Sequence, residues 1–141
     1  MRHLKAMRGD SSGSVAIEFA ILAPVLITML FGVLQVGLGM QNYNALRSVA
    51  AEAARNAVVQ RQKGTAHAAA DVRTKAIAVA TAAPYALKAT RLTVTCANAA
   101  TQRVAGATEM TLTISYNVPS FLSIMGMGEI PITFTRPVFV V

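Results

Sequence analysis

The side chain with the strongest claim on chemistry in this 141-residue chain is Glu18. Its carboxylate stands where an apolar run is already under way, in Gly13-Ser14-Val15-Ala16-Ile17-Glu18-Phe19. A carboxylate at the start of a membrane helix is expensive to bury. It needs either a cation at matching depth or a path by which it snorkels to headgroup water, and the residues alone leave both readings open. The other reactive residue types are few and scattered. His3 lies in a basic leader, and His67, four residues before Asp71, suits an ordinary surface pairing better than a catalytic dyad. The single Cys96 can form no internal disulfide and reads as a small apolar strand residue; a reactive thiol would need an electropositive, exposed setting. Two separated His and one Cys make no metal-ligand spacing. Gly126-Met127-Gly128 is too short for a phosphate loop and has no Lys after it. No catalytic residue, cofactor, metal site or small-molecule substrate is expected, and the chain does not read as an enzyme.

The element that must position Glu18 is the uncharged stretch 19–40, 22 residues long. As a helix it spans roughly 33 Å, enough for the ~30 Å hydrocarbon core of a bilayer. About a hundred residues remain for a folded unit, which is a small domain. The chain is 54% hydrophobic and only 13% charged, against about 25% charged in an average soluble domain.

Residues 1–13 carry Arg2, Lys5 and Arg8 against Asp10, a net +2 of the total +7. Lys and Arg flanking a membrane helix favour the cytoplasmic side, and the first dozen residues beyond Met40 offer only Arg47. The expected topology is N-terminus in, C-terminus out. The other basic residues are spread singly without interleaved aromatics, so no nucleic-acid partner is expected. A secretory signal ending near Gly39 is an alternative, but the apolar run is too long for one and Glu18 is out of place in it.

Ser14 is a candidate N-cap for the helix, and Pro24 inside it removes one ladder bond and marks a site of bending or local unwinding. Ala16, Ala20, Pro24, Thr28 and Gly32 recur every four residues, a ridge of small side chains along which another helix can approach closely; small residues are also simply common in membrane helices. Over 41–63 the helix continues as an amphipathic stalk, with Tyr43, Leu46, Ala50, Ala53, Ala57 and Val58 on one stripe and Arg47, Ser48, Glu52 and Arg55 on the other. Gly64 supplies a cap or hinge. A second, Ala-rich helix is expected over 65–88, limited by Pro84.

Beyond Ala89 the period becomes two. Leu92, Val94 and Cys96 share a face of one strand, and Met110, Leu112, Ile114 and Tyr116 share a face of the next, joined by a loop over 98–107. A third run, 130–141, alternates through Ile130, Ile132 and Phe134 and carries Pro131 and Pro137, which suit a sheet edge or a strand terminus rather than a central ladder. The expected fold is α+β: a long N-terminal membrane-spanning helix continuing as a stalk, a second helix, and a small antiparallel sheet of about three strands. The connection 119–129 is unusually apolar. Phe121, Leu122, Ile124, Met125 and Met127 either fold back on the domain or dock on membrane lipid or a neighbouring subunit.

Gly13-Ser14-Val15-Ala16-Ile17-Glu18-Phe19-Ala20, the apolar run with its early Pro24, and Ala45-Leu46-Arg47-Ser48-Val49-Ala50-Ala51-Glu52-Ala53-Ala54-Arg55 together resemble the TadE/TadG family of type IVb pilin-like proteins. The strands and the apolar loop after Tyr116 are similar to the periplasmic part of short TadE members. The resemblance implies a minor pilin-like subunit (pseudopilin) of a tight-adherence pilus system. It implies cleavage by a prepilin peptidase after Gly13, with Ser14 as the new N-terminus and Glu18 as the fifth mature residue. The implied partners are the peptidase, other pilin-like subunits, the inner-membrane assembly platform and membrane lipid. Phe19 stands where many major pilins have Tyr, which removes any role for a phenolic hydroxyl there. The implied organisation is a leader at 1–13, a membrane helix at 14–40, a periplasmic continuation at 41–63 and a small periplasmic domain at 64–141. A freed Ser14 amine would give Glu18 its cation, an ion pair that sets register more than stability. The alternative of the same class is an uncleaved bitopic assembly factor with the same topology.

Overall fold

The computed structural model describes residues 12–65, 68–121, 126 and 128–141. Helix α1 spans Ser12–Gln62, 51 residues without interruption, a rod of roughly 76 Å. It starts two residues ahead of the expected cap. Ser14 lies inside the first turns, and its hydroxyl reaches along the helix to Glu18 Oε1 at 3.4 Å instead of closing the terminus. Pro24 does not end the helix. One turn later, Thr28 Oγ1 donates to the Pro24 carbonyl at 2.7 Å, satisfying that hydroxyl within the helix.

The upper half of α1 is the stalk. Leu46, Ala50, Ala53 and Ala57 are buried as their spacing predicts, and Val49 and Ala54 join them. Arg47, Ser48 and Arg55 remain exposed. Two members of the expected stripe sit at its margin: Val58 is half-buried, and Tyr43 is exposed, its ring set edge-on to Phe134 at 5.8 Å.

Helix α2, Ala69–Thr81, is shorter than expected at both ends. At its start the Asp71 carboxylate accepts the Ala68 N–H at 2.9 Å, which fixes the first turn there. At its end Ala82 is extended, and Pro84 bars the preceding residue from helical geometry. The chain then folds back, with the Leu87 N–H donating to the Ala80 carbonyl at 2.9 Å and the Leu87 side chain buried. A 3-10 turn, Ala89–Arg91, leads into the sheet.

Strands β1 (Leu92–Asn98), β2 (Thr108–Val118) and β3 (Ile130–Val140) form one antiparallel sheet in sequence order. The register pairs Leu92 with Tyr116 and Ile114 with Phe134. Alternation sends Met110, Leu112, Ile114, Tyr116 and Val118 of the central strand into the core with the buried residues of both helices. The opposite face is polar. There Thr113 and Thr135 share a hydroxyl hydrogen bond at 3.1 Å, and Ser115 and Thr133 one at 2.8 Å. Pro131 and Pro137 lie on the edge strand β3, where a missing N–H costs no ladder bond on the open side. Arg73 of α2 donates through Nε to the Val94 carbonyl at 2.9 Å, tying that helix to β1. The architecture is the α+β arrangement expected.

Candidate functional site

The site is the length of α1 from Ser14 to Leu34, where most side chains find little of their own protein to touch, together with Gln35 at its upper end. An 18-residue window of this helix has a mean hydropathy of 2.3, and none of it is buried. Phe19, Leu22, Leu26, Leu30 and Val33 all project outward. A helix interior to a soluble fold would hide such a window, so this one fits a single-pass membrane protein.

At its N-terminal end the Glu18 carboxylate turns toward Ser14, one helical turn away, and both side chains are exposed. The ridge is laid out as its spacing requires. Ala16, Ala20 and Pro24 are exposed, Thr28 and Gly32 half-exposed, and a methyl group built on Gly32 would meet nothing within 4 Å. Thr28 spends its hydroxyl on the Pro24 carbonyl, so the ridge is apolar as well as narrow.

At the other end stands a group that sequence reasoning passed over. Gln35 lies in the run read as uncharged and membrane-spanning, yet only 4% of its surface is exposed. Its Nε2 donates to the Pro119 carbonyl at 3.2 Å, and its Oε1 accepts the Phe121 N–H at 3.0 Å. One turn below, the Phe31 and Phe121 rings stack with centroids 6.3 Å apart. The loop after β2 is therefore clasped to the membrane helix. Of the expected docking residues, Phe121 folds back onto α1 while keeping 50% of its surface exposed. Leu122, Ile124, Met125 and Met127 lie outside the described residues, as do His3 and His67. The one signal available for Gln35 was its polarity in the middle of the run.

A second buried polar group was also missed. Glu109, 3% exposed, is the second residue of β2 and gathers the preceding loop around itself. Its Oε1 accepts from Arg103 Nε at 2.8 Å and also pairs with Nη2, and its Oε2 accepts the Arg103 N–H at 3.2 Å. The Gln102 side chain donates to the carbonyls of Ala99 and Glu109 at 3.1 and 3.3 Å. Arg103 lies over the Phe139 ring, 5.4 Å from its centroid. The guanidinium hydrogen bonds hold the Glu109 carboxyl below the usual carboxylate range. The hydrogen bonds of this cluster tie the loop between β1 and β2 to the start of β2, which is a structural role. Cys96 is half-buried, and that burial pushes its thiol up, away from the thiolate a reactive cysteine needs. Among the described residues no group of three metal-ligating side chains occurs.

Residues 13–55 match the family model described as TadE-like protein, from the residue before Ser14 to the middle of the stalk. No curated protein and no solved structure matches the chain.

Proposed function

We propose, from the premise that the membrane-facing part of this chain is TadE-like and hence related to the Tad pilus, that the protein is a minor pilin-like subunit supporting assembly of a tight-adherence pilus. In this reading a prepilin peptidase cuts after Gly13, the first helix crosses the inner membrane with its start on the cytoplasmic side, and the α+β domain stands in the periplasm. The chain acts by assembling with other pilin-like subunits and with the assembly platform, not by catalysis.

The observation that carries the reading is the continuity of α1. One helix presents its apolar side chains outward over the membrane run, then builds the core of a folded domain on its upper half, and holds Glu18 within a turn of Ser14. A cut before Ser14 would leave its amine beside the Glu18 carboxylate of the same or a neighbouring subunit. Neutralising one with the other offsets the cost of carrying either into the membrane and rewards a single register. The small-residue ridge gives a neighbouring helix a face to lie along. A secretory signal ending at Gly39 fits less well, because it would discard Gln35 and with it the clasp on Pro119 and Phe121.

N-terminal sequencing of membrane-extracted protein tests this. A start at Ser14 is expected, a start at Met1 makes the chain an uncleaved assembly factor, and a start at Met40 makes it a secreted protein. Glu18→Ala should insert normally and yet fail to support pili; undiminished piliation would refute the ion-pair role.

A further inference from the structure

We propose that the Gln35 clasp sets the outer edge of the bilayer, so that the membrane is left at about Leu34 and the lower end of the sheet rests on phospholipid headgroups. The inference rests on the reading of α1 as a membrane helix. Hydropathy alone would carry the hydrocarbon to Met40, six residues and about 9 Å further along a helix on the bilayer normal.

What opposes that placement is the domain itself. Gln35 holds Pro119 and Phe121 at its own level. The end of β2 directly precedes Pro119, and the start of β3 is paired to it, Val118 with Ile130 and Asn117 with Pro131. Glu129, the residue before β3, is ion-paired at 3.0 Å with Arg91, and both side chains are partly exposed. Irregular backbone and an open strand edge are not tolerated against lipid chains. Within hydrocarbon a single Arg or carboxylate costs roughly five to ten times what a Leu or Val returns. Val36, Leu38 and Met40 cannot outweigh that pair, so the tip of the sheet stays in the headgroup layer and takes α1 with it.

Phe121 fits beside that layer. Its N–H is satisfied by Gln35 and its ring stacks on Phe31 with centroids 6.3 Å apart, which leaves half of an apolar side chain exposed at the boundary, its ring free to face the acyl chains just below the headgroups. The inner edge follows from the outer one. A ~30 Å core takes about 20 residues, which reaches back from Leu34 to Val15. The Glu18 backbone then lies about 4.5 Å inside the hydrocarbon, while its carboxylate, turned back to Ser14, reaches the inner edge.

The full chain in nanodiscs of phosphatidylethanolamine and phosphatidylglycerol tests this, with a charged maleimide and labelling read peptide by peptide so that Cys96 reports separately. Met29 and Met40 are each 65% exposed on the protein alone, so any difference between Met29→Cys and Met40→Cys comes from the lipid. Met40→Cys should label at least about 50-fold faster than Met29→Cys. Equal protection of both would overturn the boundary while leaving the membrane helix intact; rapid labelling of both would remove the anchor and the boundary together. A fluorophore on Phe121→Cys, where the clasp survives because it uses the backbone N–H, should be quenched most by nitroxide lipids labelled near the headgroup. No quenching, or strongest quenching by the deepest label, would overturn the seat on the headgroups.

Discussion

Replacing Gln35 by Leu keeps the side chain's size and helix propensity while deleting both hydrogen bonds of the clasp. The Pro119 carbonyl and the Phe121 N–H then lose their partners. Each such bond contributes about 0.5–1.5 kcal/mol net when water can replace it, as the half-exposed Phe121 allows. The pair therefore stabilises the docked loop by about 1–3 kcal/mol, and the added apolar burial of Leu offsets part of the loss. A net loss of about 1–2 kcal/mol lowers the closed-to-open ratio of the loop by roughly 5- to 30-fold. Native-state hydrogen exchange on the full chain in nanodiscs reads this directly. Protection of the Phe121 amide should fall by that factor, while amides of the central strand around Leu112 keep theirs. Unchanged protection at Phe121 would mean that the Phe31 ring contact holds the loop alone. An equal fall at Leu112 would mean that Gln35 supports the whole domain, and either result refutes a local clasp.

Three further expectations concern the rest of the molecule. Replacing both Ala20 and Gly32 by Leu should leave membrane insertion intact but weaken copurification with pilin-like partners, and full recovery would argue that the small-residue ridge is no interface. Leu112, fully buried at the centre of the sheet, should cost about 2–5 kcal/mol on truncation to Ala, measured by denaturant unfolding of the full chain in detergent. Because Arg103 lowers the Glu109 carboxyl in the folded state, that group's contribution is fully present above the unfolded value near 4.3 and is lost as pH falls through the lower folded value. The loop between β1 and β2 should therefore lose exchange protection below about pH 4, and Glu109→Gln should abolish that step.

Much of this molecule was legible because its signals are local. An uncharged run longer than a bilayer, a stripe of alanines at helical spacing and two alternating strands are set by side-chain periodicity within a single element. Pro131 and Pro137 marked the edge strand for the same reason, since proline's missing N–H acts on its own residue. The bounds of α2 were harder to read. Its composition favours helix from 65 to 88, but the Asp71 cap and the extended backbone before Pro84 stop it at each end.

The sequence by itself therefore determined the order and type of the elements, the membrane run and the position of Glu18 near its start. Tertiary structure decided what the polar residues inside apolar stretches are for. The partners of Gln35 lie 84 and 86 positions away, a pairing that no periodicity can encode, and it exists only because β2 and β3 lie against α1 and bring Pro119 and Phe121 to the membrane end of the stalk. Glu109 sits close in sequence to Gln102 and Arg103, but its enclosure is completed by Phe139 across the sheet. Burial is a property of the assembled surfaces, so a polar side chain reads as a surface residue until the fold covers it.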